Sequence, residues 1–103
     1  MSELRRGDIF FADLGHKCRP YLVVQNDVGN VCNDRTIVVP LTSKIRRYPM
    51  HCVVSIGIIR PSAVQCEEIM CVTVDDGWKA VEHLPKKTMR RVDKALKCAL
   101  GLE

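Results

Sequence analysis

Short apolar runs of strand length fill most of this chain, and only its final stretch changes period. The runs span residues 9–12, 21–25, 36–41, 52–56, 63–66 and 69–74. Each is too short for an independent helix and rich in Val, Ile, Phe or Tyr, which predicts six short β-strands. Residues 13–15 end the first run. Residues 26–30 follow the second with turn chemistry and lead into a linking segment to Asp34. Pro20 is compatible with a strand start, whereas Pro40 inside the third run predicts an edge strand or a bulge. Near the end, Met89, Val92, Leu96, Ala99 and Leu100 recur at three- and four-residue steps with Lys and Arg between them. That spacing predicts an amphipathic helix starting near Lys86, with Pro85 at its entry and Gly101 at its stop. The expected fold is mainly β: a small barrel with a C-terminal amphipathic α-helix as lid or plug. No repeat or linker interrupts it, so residues 1–103 are expected to form one domain.

A chain of 103 residues has limited room for a core. Aromatic residues make up only 5%, so Val, Ile, Leu and Met must build that core, and pairing with a second copy would reinforce it. The cysteines at 18, 32, 52, 66, 71 and 98 show neither a CxxC pair nor a zinc-ligand rhythm. They are expected to remain reduced thiols, several of them acting as small hydrophobes within apolar runs. Neither a secretory signal nor a run of membrane-spanning length is evident, so a cytoplasmic location without membrane contact is expected. His16, His51 and His83 lie far apart, and no metal site or cofactor is expected.

The sequence lacks GxGxxG, P-loop and HExxH motifs, which removes nucleotide cradling and zinc-peptidase chemistry as readings. The net charge is +4, and its distribution says more than its size. Basic residues cluster at Arg5 and Arg6, at Lys17 and Arg19, at Lys44, Arg46 and Arg47, and along the terminal helix. If the first three clusters converge, they form a phosphate-binding surface. The acidic pairs Glu67–Glu68 and Asp75–Asp76 read as surface charge. Arg19, fixed before a proline, can offer a bidentate guanidinium to a phosphate. Thr42 and Ser43 close the third run, where their hydroxyls either finish a turn or face the same ligand. A ribonucleotide brings its own nucleophile, the 2′-hydroxyl. The protein then needs only to align it, accept its proton and stabilise charge on phosphorus. His51, Asp8 and Asp13 are the candidate proton acceptors.

These segments together resemble the MazF/PemK toxin family. The likeness runs through residues 6–14, 19–26 and 37–43, through Pro61, Ser62, Cys66, Glu67 and Ile69, and through the apolar face of the closing helix. The resemblance implies an SH3-like barrel shared with CcdB-like toxins, and a homodimer. It implies sequence-selective, metal-independent cleavage of single-stranded RNA, leaving 2′,3′-cyclic phosphate and 5′-hydroxyl ends. It assigns catalysis to Arg19 and Thr42, with Ser43 assisting at phosphate or sugar. His16, Lys17, Lys44, Arg46 and Arg47 are the further expected RNA contacts. The implied partner is a cognate antitoxin whose acidic, flexible tail occupies the RNA groove. One departure stands out: the longer loop common in the family before the Arg-Pro pair, with its Gly-Ser-Glu-Gln-like stretch, is reduced here to residues 15–19. The alternative reading is a non-catalytic protein of the same fold, acting as a DNA gyrase inhibitor or an antitoxin-binding module.

Overall fold

The computed structural model describes residues 3–15, 17–57 and 59–102. The strands are β1 (Asp8–Asp13), β2 (Cys18–Val23), β3 (Arg35–Thr42), β4 (His51–Ile56), β5 (Ile59–Gln65), β6 (Met70–Thr73) and β7 (Glu82–His83). Helix α1 (Asp27–Cys32) lies between β2 and β3, and α2 (Lys86–Leu100) closes the chain. The strands form one curled antiparallel sheet in the order β4-β5-β3-β2-β1-β7, with β6 also paired to β3. This is the expected barrel-like β fold with a C-terminal helix.

The apolar runs are continuous because the central strands are buried on both faces. Alternation along the strand sends Ile9, Leu22 and Val39 into a cluster with Val54, Val64 and Leu84. Met89, Val92 and Ala95 of α2 cover that cluster. The intervening residues Phe10, Tyr21, Val23 and Val38 enter a second cluster. There Trp78 stacks on Phe10 at a centroid distance of 4.9 Å. At the end of α2, Gly101 adopts the left-handed conformation at φ 69°, and the Leu102 N–H reaches Lys97 O at 2.8 Å. A glycine satisfies the last carbonyls in this geometry without a Cβ clash.

The structure changes four of the expectations. Strand β3 is the hub of the sheet rather than an edge: Tyr21 faces Pro40 from β2, while β6 and β5 share its other side. The β6 register ends at Val38 and the β5 register begins at Leu41. Pro40 falls in that handover, where a missing N–H removes no ladder bond. The turn expected over residues 26–30 is the start of α1, made by polar contacts. Asn26 caps the Gly29 N–H at 2.9 Å, and the buried Asn30 carboxamide accepts from Thr36 Oγ1 at 2.7 Å. Strand β7 is an addition, too short to register as an apolar run. Finally, all six cysteines are free thiols, but only Cys52 and Cys66 are buried. Burial pushes the Cys66 thiol up to about 12, so it behaves as a core hydrophobe. Among the described residues, no helix is long and apolar enough to cross a membrane.

Candidate active site

The antiparallel pairing of β1 with β2 sets Ala12 opposite Arg19, close to the loop that joins these strands. The pairing of β3 with β5 sets Thr42 opposite Ala63. Between these strand ends opens a cleft of about 610 Å³ lined by Arg19, Thr42, Ser43 and Lys44, with Lys17 at the loop. Five of the residues expected to handle RNA therefore meet in one place. His16 lies outside the described residues.

Arg19 is held from two sides. Its Nη2 donates to Leu41 O at 3.1 Å and to Gln65 Oε1 at 3.0 Å. Both acceptors are neutral, so the guanidinium is oriented while no carboxylate pairs with it among the described residues. Its remaining N–H groups are available to an anion in the cleft. Thr42 Oγ1 accepts the Lys44 N–H at 3.2 Å, which ties the loop after β3 to the strand end. The threonine hydroxyl keeps its proton for donation. Phe11, on β1 opposite Pro20, also borders the cleft and is 42% exposed. Such a ring offers a flat face on which a base can stack.

The other expected residues are elsewhere. Asp8 is buried at the start of β1, where it accepts the Arg5 N–H at 2.8 Å and sits 2.6 Å from His83 Nδ1. Asp13 accepts the Gly15 N–H at 3.0 Å and shapes the shortened loop. The His51 side chain is 3% exposed, and its Nε2 lies 2.8 Å from Glu67 Oε2. It belongs to a second groove of about 650 Å³, shared with Arg46, Arg47 and the α2 residues Arg91 and Lys94. Arg6 pairs with Asp93 and also donates to Val24 O at 2.9 Å. The three basic clusters thus do not converge: Arg5 and Arg6 serve the start of the hairpin, and the Lys44–Arg47 cluster divides between two grooves.

Sequence reasoning missed Gln65, Arg60, Ser62 and Glu68, all of which border the Arg19 cleft. Their positions follow from the β3–β5 register and from the turn after β5, where the Glu68 N–H returns to Gln65 O at 3.1 Å. No local motif carries that information. The acidic pair expected as surface charge is split between two jobs, Glu67 facing His51 and Glu68 bordering the cleft. Among the described residues, no group of three His, Cys, Asp or Glu side chains is placed to hold a metal ion.

A small curled barrel with an oriented, uncompensated arginine beside strand-end hydroxyls defines a protein suited to holding a phosphodiester. The chain belongs to the PemK-like, MazF-like toxins of type II toxin–antitoxin systems, matching that family over residues 5–100. It is 32% identical to endoribonuclease EndoA of Bacillus subtilis, over 96% of each chain. It is 28% identical to endoribonuclease MazF of Staphylococcus saprophyticus, over 96% of this chain and 92% of that one. Among solved structures it resembles a mycobacterial endoribonuclease determined in complex with its cognate antitoxin. That likeness has a TM-score of 0.87 and 26% identity over 97% of both chains.

Proposed function

We propose that this chain is the toxin of a type II toxin–antitoxin pair: a metal-independent endoribonuclease that cuts single-stranded RNA at selected sequences in the cytoplasm. The carrying observation is the cleft in which Arg19, oriented only by neutral oxygens, stands with Thr42 and Ser43. In this reading the scissile phosphate lies against Arg19. The substrate's own 2′-hydroxyl attacks phosphorus, and the guanidinium stabilises the charge that grows on the phosphoryl oxygens. Thr42 donates its hydroxyl proton to one of those oxygens, and Ser43 assists at phosphate or sugar. Lys17 and Lys44 hold flanking phosphates as point charges. The products carry a 2′,3′-cyclic phosphate and a 5′-hydroxyl.

The relatives' names support both the reaction and the partner, since they are endoribonucleases and one was solved with its antitoxin. The acidic flexible tail expected of such an antitoxin suits the basic clefts by charge. A homodimer of single-domain chains fits the limited core of so short a protein. The gyrase-inhibitor alternative draws no support from these relatives. The test is incubation of the wild-type protein and Arg19→Ala with a long, weakly structured RNA and a chelator, mapping new 5′ ends. Discrete cuts with 5′-hydroxyl ends, lost in the variant, are expected. A folded wild type that leaves a diverse RNA pool intact would overturn the assignment.

A further inference from the structure

Cleavage by a 2′-hydroxyl needs a group to take its proton, and the structure redirects the search for that group. Asp8 is bound to the Arg5 N–H and His83 at the far end of β1. Asp13 caps Gly15, and His51 faces Glu67 in the second groove. None of these three borders the Arg19 cleft. Glu68 does, and it is the one carboxylate among the described residues that lines it.

Glu68 is exposed, and three features of its surroundings bear on its role. First, the Glu68 N–H bond to Gln65 O closes the turn directly after the strand that delivers Gln65 to Arg19. The Glu68 main chain is thereby tied to the strand end that supplies Gln65, and its side chain borders the cleft from there. Second, it shares the cleft with Lys17, Arg19, Lys44 and Arg60, yet forms no side-chain hydrogen bond or ion pair among the described residues. Its oxygens remain available as acceptors. Third, a lone carboxylate weakens a cleft for a polyanion by simple repulsion, so binding alone does not account for it there. Cys18 also borders the cleft but is a weak acceptor, and Tyr21 is buried in the core outside it.

We infer that Glu68 is the general base that takes the 2′-hydroxyl proton, an assignment that rests on the endoribonuclease reading above. As the proton passes to the Glu68 carboxylate, the O2′–P bond forms. The P–O5′ bond breaks with its electron pair going to O5′, which takes a proton from water. Glu68 then releases its proton to solvent, so the cycle needs no other reactant.

Single-turnover cleavage of a short RNA carrying one mapped site tests the assignment. Glu68→Gln should lower the rate by about 10²- to 10³-fold. It should also abolish the acid limb of the pH–rate profile, while binding an RNA with a 2′-deoxy scissile nucleotide at least as tightly as wild type. Glu68→Ala should regain activity when formate is added. Cleavage within threefold of wild type, or an acid limb that persists in Glu68→Gln, overturns the base. A variant that cuts at full rate but at different sequences overturns it too and makes Glu68 a base-reading contact. Should the wild type cut nothing, the endoribonuclease reading falls, and the base with it.

Discussion

The two ends of the β1–β2 hairpin each carry an arginine, and the two are held in opposite ways. Arg6, just before β1, pairs with Asp93 of α2 and donates to Val24 O, while its own N–H reaches Asp27 Oδ1 at 2.7 Å. Arg19, facing the other end of β1, is bonded among the described residues to the neutral oxygens of Leu41 and Gln65. A guanidinium neutralised by a carboxylate is a fastener, here joining the hairpin to α2, while the Arg6 backbone N–H ties it to α1. One oriented by carbonyl oxygens keeps its field and its spare donors for a ligand. Residue type is the same; the charge of the partner separates structure from function.

The sharpest way to break this contrast is to remove each arginine in turn. Arg19→Ala should lower the RNA cleavage rate by about 10²- to 10³-fold, as removal of a transition-state charge stabiliser does. Its urea midpoint should stay near wild type, because the released Leu41 O and Gln65 amide border an open cleft. Arg6→Ala should do the reverse. It should lose about 1–2 kcal/mol of unfolding free energy, a figure already reduced for a pair that is partly solvent-exposed. Cleavage at low temperature should remain close to wild type. If Arg6→Ala abolished cleavage without destabilising the fold, the fastener interpretation would fail.

Where local chemistry and burial agree, this molecule is legible from its sequence. The double-sided burial of β1, β2 and β3 writes itself as unbroken apolar runs, and the helical period of Met89, Val92 and Leu96 marks α2. Arg19 and Thr42 stand out because each breaks or ends such a run. Helix α1 does not stand out, because Asn26 and Asn30 hold it by side-chain hydrogen bonds rather than by an apolar stripe. Gln65 and Glu68 are silent for another reason: the register between β3 and β5 brings Gln65 to Arg19 and the turn after it to the cleft, and register is a property of paired strands. Arg46 and Arg47 mislead by proximity. They follow Lys44 in the chain but border the groove beside α2.

A single atom exchange can make the Arg19 end imitate the Arg6 end. Gln65→Glu would set a carboxylate 3.0 Å from the Arg19 Nη2 position now occupied by an amide oxygen. The new partner should neutralise the guanidinium and repel phosphate, lowering kcat/KM by about tenfold, the equivalent of roughly 1.4 kcal/mol. Gln65→Met, which removes the orienting oxygen and leaves the charge free, should cost less affinity for RNA than Gln65→Glu. Measuring both by fluorescence binding separates orientation from charge. Equal losses would show that the Gln65 oxygen matters only for placing the side chain.

The smallest effect is expected at Asp27, where the Arg6 end should reveal itself through pH. Its carboxyl is held below the ordinary carboxylate range, chiefly by the hydrogen bond from the Arg6 N–H and then by that from the Asn30 side chain. A depressed folded-state value means the ionised form is favoured by folding. The contribution is therefore present above the unfolded carboxylate range near pH 4 and is lost as pH falls through the folded-state value. Asp27→Asn should remove a few tenths of a kcal/mol at neutral pH, since the group is exposed and screened. It should also flatten the fall in urea midpoint between pH 5 and pH 3 relative to wild type. The Arg19 end contains no such carboxylate partner, so Gln65→Met should leave that acid slope unchanged. Two slopes that moved together would mean the ends of the hairpin are not electrostatically independent.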